Sequence, residues 1–127
     1  MPVIAKYTSK ASGTLPTFNE GYTYTTSETV SDGVYTVELT SDSDFTSVSF
    51  TSSVDLLSVE YLKITNKVTS MSRTFYDCTS LQSLDASNWD TSSVTNMQST
   101  FHSCTSLQSL DVSDWDTSSV TTMFATF

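Results

Sequence analysis

Carboxylate and hydroxyl side chains recur at a fixed interval in the second half of the chain. The motif Ser-x-Asp-x-Ser occurs twice, 26 residues apart. Its residues are Ser83, Asp85, Ser87, Ser109, Asp111 and Ser113. Such oxygen atoms are ligands for Ca²⁺ and hydrogen-bond partners for basic or sugar groups. The motif is therefore a candidate binding face for a partner protein or a glycan, with calcium as an alternative ligand and no other cofactor.

Two earlier acids extend this pattern when the spacing of the later residues is laid over the N-terminal half. Glu60 and Glu38 then fall at positions equivalent to Asp85. If each acid occupies a neighbouring strand, the carboxylates lie about 4.8 Å apart. Like charges at that distance repel, so a cation, a basic partner or neighbouring hydroxyl groups must offset them. The alternative is a solvated acidic face that keeps the protein soluble.

A lone histidine and the lack of a catalytic motif favour a non-enzymatic protein. His102 aligns with Tyr76 one period earlier, away from the apolar residues of the repeat. The chain has no nucleophile elbow, phosphate-binding loop or set of histidines at metal-ligand spacing. Evenly repeated acids also differ from a glycosidase pair, whose two carboxylates need different environments.

The cysteines and tryptophans occupy equivalent positions of the pattern and are expected to be structural. Cys78 and Cys104 fall among apolar residues, which predicts buried thiols. A disulfide would need their Cα atoms within about 7 Å, and a zinc site would need further ligands. For Trp89 and Trp115, a place in the core is favoured over an exposed platform for sugar stacking.

All these side chains belong to a tandem repeat. Residues 94–119 repeat residues 68–93 without a gap, with 19 of 26 positions identical. A third copy begins at Val120 and stops at Phe127. Because one unit cannot bury its apolar side alone, successive units must stack around a shared core.

Two apolar spacings within the repeat predict two kinds of element. One set follows an i, i+3, i+7, i+10 pattern, which predicts a helix of about two to three turns. Its members are Val94, Met97, Phe101 and Cys104. Residues 107–115 instead fit the L-x-x-L-x-L-x-x-N pattern of a leucine-rich repeat strand, with Trp in the Asn position. The sequence therefore predicts a leucine-rich-repeat-like solenoid of short parallel strands and short helices with a 26-residue period.

The repeats resemble those of the BspA-like leucine-rich repeat surface proteins, roughly V-T-x-M-x-x-x-F-x-x-C-x-S-L-x-x-L-D-x-S-x-W/F-D-T-S. Residues 68–127, about half of the chain, match almost every fixed position. The resemblance implies a leucine-rich repeat fold. Such repeats occur in bacterial surface proteins, Mycoplasma-type lipoproteins and phage structural proteins. The resemblance therefore implies an exterior location and no particular reaction.

The first 55 residues differ from the repeats and are predicted to form a β-rich N-terminal cap. Residues 22–30 alternate apolar or aromatic with hydroxyl side chains, and the turn signal Ser-Asp-Gly precedes residues 34–40, which predicts a hairpin. We therefore divide the chain into a cap with degenerate repeats, residues 1–55, and a solenoid with an incomplete last repeat, residues 56–127. A separate small β-sandwich is the alternative for the N-terminal part.

Composition argues against two classes of partner. The chain has 14 acidic and 5 basic residues, a net charge of −9 and a pI near 4.1. Nucleic acids and anionic membranes both need a basic face, so neither is expected to bind. No apolar run is long enough to span a membrane, and the N-terminus lacks the layout of a signal peptide. Release with a particle is therefore expected rather than secretion.

Two functions fit these observations. The first is a virion structural or decoration protein, exposed on a phage particle, that makes protein–protein contacts and attaches to host surfaces. The alternative is a fragment of an extracellular bacterial adhesin that binds host proteins or glycans. The unfinished third copy predicts an open edge that further repeats or other structural chains must cover. The isolated chain is therefore expected to self-associate.

Overall fold

The structure is a computed structural model that describes residues 1–127, and it contains seven β-strands and no helix. The strands are β1 Val3–Ser9, β2 Thr17–Phe18, β3 Thr25–Ser31, β4 Val34–Thr40, β5 Val48–Ser49, β6 Leu56–Leu62 and β7 Ser83–Leu84. Five of them form one sheet in the order β3-β4-β1-β6-β7, and β2 pairs with β5. The larger sheet is mixed, because β6 and β7 are parallel and its other pairs are antiparallel.

Strand β1 lies at the centre of the larger sheet. Tyr7 faces Val37 of β4 on one side and Val59 of β6 on the other. Ile4, Ala5 and Tyr7 are fully buried, as expected for a central strand with one face on the core. The sequence analysis did not assign this strand. Its position separates β4 from β6, so the two segments aligned as neighbouring degenerate repeats do not pair.

The predicted hairpin is confirmed. Strands β3 and β4 pair antiparallel and are joined by the two residues Asp32 and Gly33, with φ of 52° and 75°. Positive φ at both central residues is the requirement of a type I′ turn, whose twist matches that of the strands. Val37 and Leu39 of β4 point into the core, whereas all seven residues of β3 are exposed. Strand β3 is therefore a solvated edge.

The predicted helices are absent, and the fold prediction is wrong on this point. The chain is a β-sheet-rich domain with a mixed sheet, not a leucine-rich-repeat-like solenoid of strands and helices. Arg73 and Asp77 have a φ of 58°, and the equivalent Ser99 and Ser103 have φ of 56° and 62°. A helix needs an unbroken run of right-handed residues. A left-handed residue at every fourth position converts the segment into consecutive tight turns.

Backbone N–H groups of these turns bond both within a copy and between copies. Thr74 donates to the Met71 carbonyl in its own turn at 3.2 Å. Met71 and Phe75 instead donate to the carbonyls of Asn96 and Thr100 in the next copy, each at 2.8 Å. Parallel bridges connect the same segments across all three copies. The copies therefore lie directly on one another, as the repeat predicted, although no helix forms.

Aromatic rings stack through the centre of the repeats. The column consists of Phe50, Phe75, Phe101 and Phe127, with successive centroids 5.5, 5.7 and 5.8 Å apart and rings within 12° of parallel. Met71 and Met97 are fully buried, whereas Met123 is 47% exposed. The stacking expected from the repeat is confirmed. One cluster of 23 buried residues runs from Ile4 to Phe101, so the sheet and the repeats share a core.

Of the two full repeat copies, only the first forms its predicted strand. Ser83 and Leu84 pair in parallel with Ser58 and Val59, and β7 ends the sheet. Residues 109–113, which the pattern assigned to the next strand, form none.

Candidate functional site

A shallow cleft brings together most of the predicted site residues. It has a volume of about 530 Å³. Its lining consists of Ser58, Val59, Glu60, Ser83, Leu84, Asp85, Ser109 and Asp111, and we call it the acidic cleft. Strand β6 supplies Glu60, and β7 leads directly into Asp85. Three acids of the predicted set therefore border one concavity.

Two predicted acids, Asp85 and Asp111, each accept hydrogen bonds from the serine two residues later. The Asp85 carboxylate accepts hydrogen bonds from the Ser87 hydroxyl at 2.6 Å and from the Ser87 N–H at 3.0 Å. Asp111 accepts one from the Ser113 N–H at 2.9 Å. Hydrogen bonds from the serine hydroxyls, then from the serine N–H groups, lower the pKa of Asp85 and Asp111. Ser87 and Ser113 therefore support the acids and do not line the cleft.

The two glutamates of the predicted set are placed differently. Glu60 lies 3.6 Å from the Lys6 ammonium, with both side chains about half exposed. Glu38 faces Lys6 from the opposite strand, β4. The expected ladder of one acid per neighbouring strand is therefore wrong for Glu38, because β1 lies between β4 and β6. Lys6 is also a basic neighbour that the sequence analysis did not foresee.

The residues of the cleft do not fit the calcium alternative. No group of three or more Asp, Glu, His or Cys side chains lies close enough to hold a metal ion. The Oδ1 atoms of Asp85 and Asp111 already accept serine hydrogen bonds. Bonds from Ser87 and Ser113 therefore hold one oxygen of each carboxylate.

The two cysteines are free thiols that donate to the preceding copy. The Sγ atoms of Cys78 and Cys104 each lie 3.1 Å from a carbonyl, that of Phe50 and that of Phe75. Burial raises the pKa of the Cys78 thiol to about 12 and that of Cys104 to about 11. Thiols with such values are poor nucleophiles at neutral pH. The prediction of a buried thiol is confirmed for Cys78, and Cys104 is half-buried.

The tryptophans lie against the core and not on a sugar-binding platform. Trp89 is 5% exposed and stacks on Phe75 and on Trp115 with centroids 6.2 and 5.5 Å away. Neither Nε1 atom has a hydrogen-bond partner. The core position predicted for Trp89 is confirmed, and the unpaired indole N–H groups are a feature that spacing did not indicate.

A second column of rings lies outside the core. Tyr76 stacks on His102 with centroids 5.1 Å apart, and the Arg73 guanidinium lies 5.0 Å from the Tyr76 ring centre. The sequence analysis placed His102 away from the apolar residues but did not foresee its contact with the Tyr76 ring. Its alignment with Tyr76, a second ring at the same repeat position, was the signal for this contact.

The third copy leaves apolar side chains uncovered. Met123, Phe124 and Phe127 are 47%, 73% and 71% exposed. Phe127 also lines a cavity of about 300 Å³, together with Phe101, Cys104, Leu107, Gln108, Ser109 and Leu110. We call this cavity and the exposed face of residues 121–127 the C-terminal end. It is the most apolar concave surface of the molecule.

Comparison with protein families gives one match. Residues 46–127 match a family model described as "Mycoplasma protein of unknown function, DUF285". Curated proteins and solved structures give no significant match. The structure has no helix long and apolar enough to cross a membrane. The matched segment includes β6, β7 and every copy of the repeat, which is more than half of the chain, and the chain therefore belongs to the DUF285 family.

Proposed function

We propose that the protein is a non-enzymatic structural protein on the exterior of a phage particle, where it makes protein–protein contacts. The observation that supports this proposal is the C-terminal end. Met123, Phe124 and Phe127 are exposed there, and Phe127 also lines an apolar cavity. Apolar patches of this kind are typical of interaction surfaces. The resemblance of the repeats to those of phage structural proteins points to the particle.

The character of the remaining surface supports an exterior position. Acidic residues outnumber basic ones by 14 to 5, and many hydroxyl groups bond to carboxylates or to neighbouring backbone. Such a surface is well solvated and does not attract phosphate groups.

The location is tested by immunogold electron microscopy with an antibody against the folded chain. Purified phage particles and intact host cells are labelled side by side. Gold on particles is the expected result. Label confined to the bacterial envelope contradicts the virion location and supports the second candidate.

The second candidate is an extracellular bacterial adhesin that binds host proteins or glycans. The family description, which names Mycoplasma, favours it. In this function the acidic cleft is the binding face, with Glu60, Asp85 and Asp111 accepting hydrogen bonds from amines or sugar hydroxyls. Binding to host cells should then fall when Asp85→Asn and Asp111→Asn are combined. Glu38→Gln, outside the cleft, is the matched control. If the parent chain, the combined variant and the Glu38→Gln variant bind host cells equally, the acidic cleft is not the binding face.

A further inference from the structure

The larger sheet has one face on the core and one face open to solvent. Along β4, Val37 and Leu39 point into the core. Because side chains alternate along a strand, Thr36 and Glu38 point to the other side, and both are only half-buried. We call this side of the five strands the outer face. It extends from β3 to β7 and does not involve residues 120–127.

Hydroxyl side chains form a continuous row across the outer face. Each strand contributes one of them, and the strand register places each beside the next. From β3 to β7 the row consists of Thr29, Thr36, Thr8, Ser58 and Ser83. The hydroxyl oxygens of Thr8 and Ser58 lie 2.5 Å apart. Since Ser58 and Ser83 also line the acidic cleft, the row runs directly into it.

A second row, of charged side chains, lies beside the hydroxyl row. Lys6 of β1 faces Glu38 of β4 on one side and forms a salt bridge with Glu60 of β6 on the other. The row continues through Asp85, which follows β7, to Asp111 in the cleft. In order, its residues are Glu38, Lys6, Glu60, Asp85 and Asp111. The charged row therefore contains four carboxylates and a single ammonium group.

Most of this negative charge has no partner within the chain. Glu38, Asp85 and Asp111 form no salt bridge. The serine bonds of Asp85 and Asp111 reach only Oδ1, so the Oδ2 atom of each aspartate is free to accept from a ligand. An anionic ligand would be repelled by this row, and a neutral glycan would leave its charge uncompensated. Lys or Arg side chains supply charge-assisted hydrogen bonds to such carboxylates.

The two rows also suit an extended chain. Neighbouring strands are about 4.8 Å apart, so the distance from Glu38 to Asp111 is about 19 Å, which an extended segment of about six residues covers. Serine and threonine hydroxyls both donate and accept hydrogen bonds. The hydroxyl row can therefore bond the backbone of a segment whose basic side chains reach the charged row.

We propose that the outer face binds an extended Lys- or Arg-rich segment of a partner protein, laid across the strands along the charged row. This inference rests on the second proposed function, in which the acidic cleft is the binding face. It extends that face across β6 and β1 to β4 and selects a basic protein segment over a glycan.

The test is a titration of the fluorescein-labelled peptide Lys-Thr-Lys-Thr-Lys-Thr-Lys with the whole chain, followed by fluorescence anisotropy at low ionic strength. Saturable binding of one peptide per protein is expected. Combining Glu60→Gln with Asp85→Asn should weaken binding at least about ten-fold, a difference of about 1.4 kcal/mol. The matched control combines Glu20→Gln with Asp32→Asn, two exposed acids outside both rows. This control should stay within about two-fold of the parent chain, because salt screens distant charges.

A substitution of the single base in the charged row gives an effect of opposite sign. Lys6→Gln should tighten peptide binding by about three-fold, because it removes a like charge beside the bound segment and frees Glu60. Lys10→Gln, at an exposed lysine outside the row, is the matched control and should have little effect. A damaged fold would weaken binding, so it cannot imitate this gain.

Several results would overturn the proposal. They are the absence of saturable peptide binding, an equal loss in both double variants, and weaker binding by Lys6→Gln. Labelled maltohexaose is titrated in parallel. Binding of this sugar without binding of the peptide also overturns the proposal, but leaves the adhesin function standing, which the host-cell binding assay tests separately.

Discussion

Phe101 lies between two rings of neighbouring copies in the aromatic column. Its centroid is 5.7 Å from that of Phe75 and 5.8 Å from that of Phe127, and the residue is 3% exposed. Parallel stacking through successive copies means that one truncation affects two interfaces. The ring also contacts the tryptophan layer, because Trp115 lies 6.1 Å away.

Replacing Phe101 with Ala should lower the free energy of unfolding by about 3–5 kcal/mol, through lost burial and the cavity left between two rings. The measurement is equilibrium urea denaturation at low protein concentration. Phe124→Ala is the control and should change the free energy by less than about 0.5 kcal/mol, since its side chain is largely in water. A near-neutral Phe101→Ala would contradict the stacked core.

Asp85 and Asp111 give the stability a pH dependence. Serine hydrogen bonds lower the pKa of both carboxyl groups in the folded chain. A lowered folded pKa means that the stabilisation is fully present above the unfolded value, about 3.9. This stabilisation is lost as the pH falls through the pKa of the carboxyl group in the folded chain.

The combined Asp85→Asn and Asp111→Asn variant tests this dependence. Its urea midpoint should lie below that of the parent chain between pH 5 and 7, which are about 1 to 3 units above the unfolded pKa. The difference should shrink as the pH falls below about 3.9. If the difference between the two urea midpoints stays constant down to the lowest pH measured, the stabilisation by the serine hydrogen bonds does not depend on the carboxylate charge.

At the scale of elements, the repeat period and the hairpin were predictable, and the turns were not. Spacings of three and four residues between apolar side chains suit a helix, but they equally suit successive tight turns. Arg73 and Asp77, with a φ of 58°, are ordinary residues that give no glycine signal for a left-handed backbone. The central place of β1 was also hidden, since it depends on pairing Tyr7 with the distant Val37 and Val59.

The candidate site was predictable to the same extent as the elements that position it. Asp85, Asp111 and their serines follow from the repeat, and the structure places both acids at one cleft. Glu38 was misplaced because a strand from the N-terminus enters between β4 and β6. The salt bridge between Lys6 and Glu60 depends on the same strand.

A pair of substitutions at Asp77 tests the turn conformation by the sign of its effect. With left-handed φ, Asp77→Gly should be more stable than Asp77→Ala by about 1 kcal/mol, because Ala strains its Cβ there. In a helix the order reverses by a similar amount. Thermal unfolding of the two variants is the measurement. Greater stability of the Ala variant would argue for a helix in this segment.

At the scale of the whole molecule, the two ends of the repeat stack differ in kind. The N-terminal side continues into the five-stranded sheet through β6 and β7, and the edge of that sheet, β3, is exposed and rich in hydroxyl groups. The other side exposes Met123, Phe124 and Phe127 with unpaired backbone donors. Exposed polar edges are tolerated in water, whereas apolar ones favour association.

The purified chain should therefore self-associate through its C-terminal end, and the contact should be apolar. Two such ends cannot pair their donors, so we expect a range of weak oligomers that grows with concentration and not a defined dimer. Sedimentation velocity and light scattering measure this. Phe124→Asp should reduce the association, because it places a charge on the exposed apolar face. A monodisperse monomer across the accessible concentrations would contradict the prediction and remove the main support for protein–protein contacts at this end.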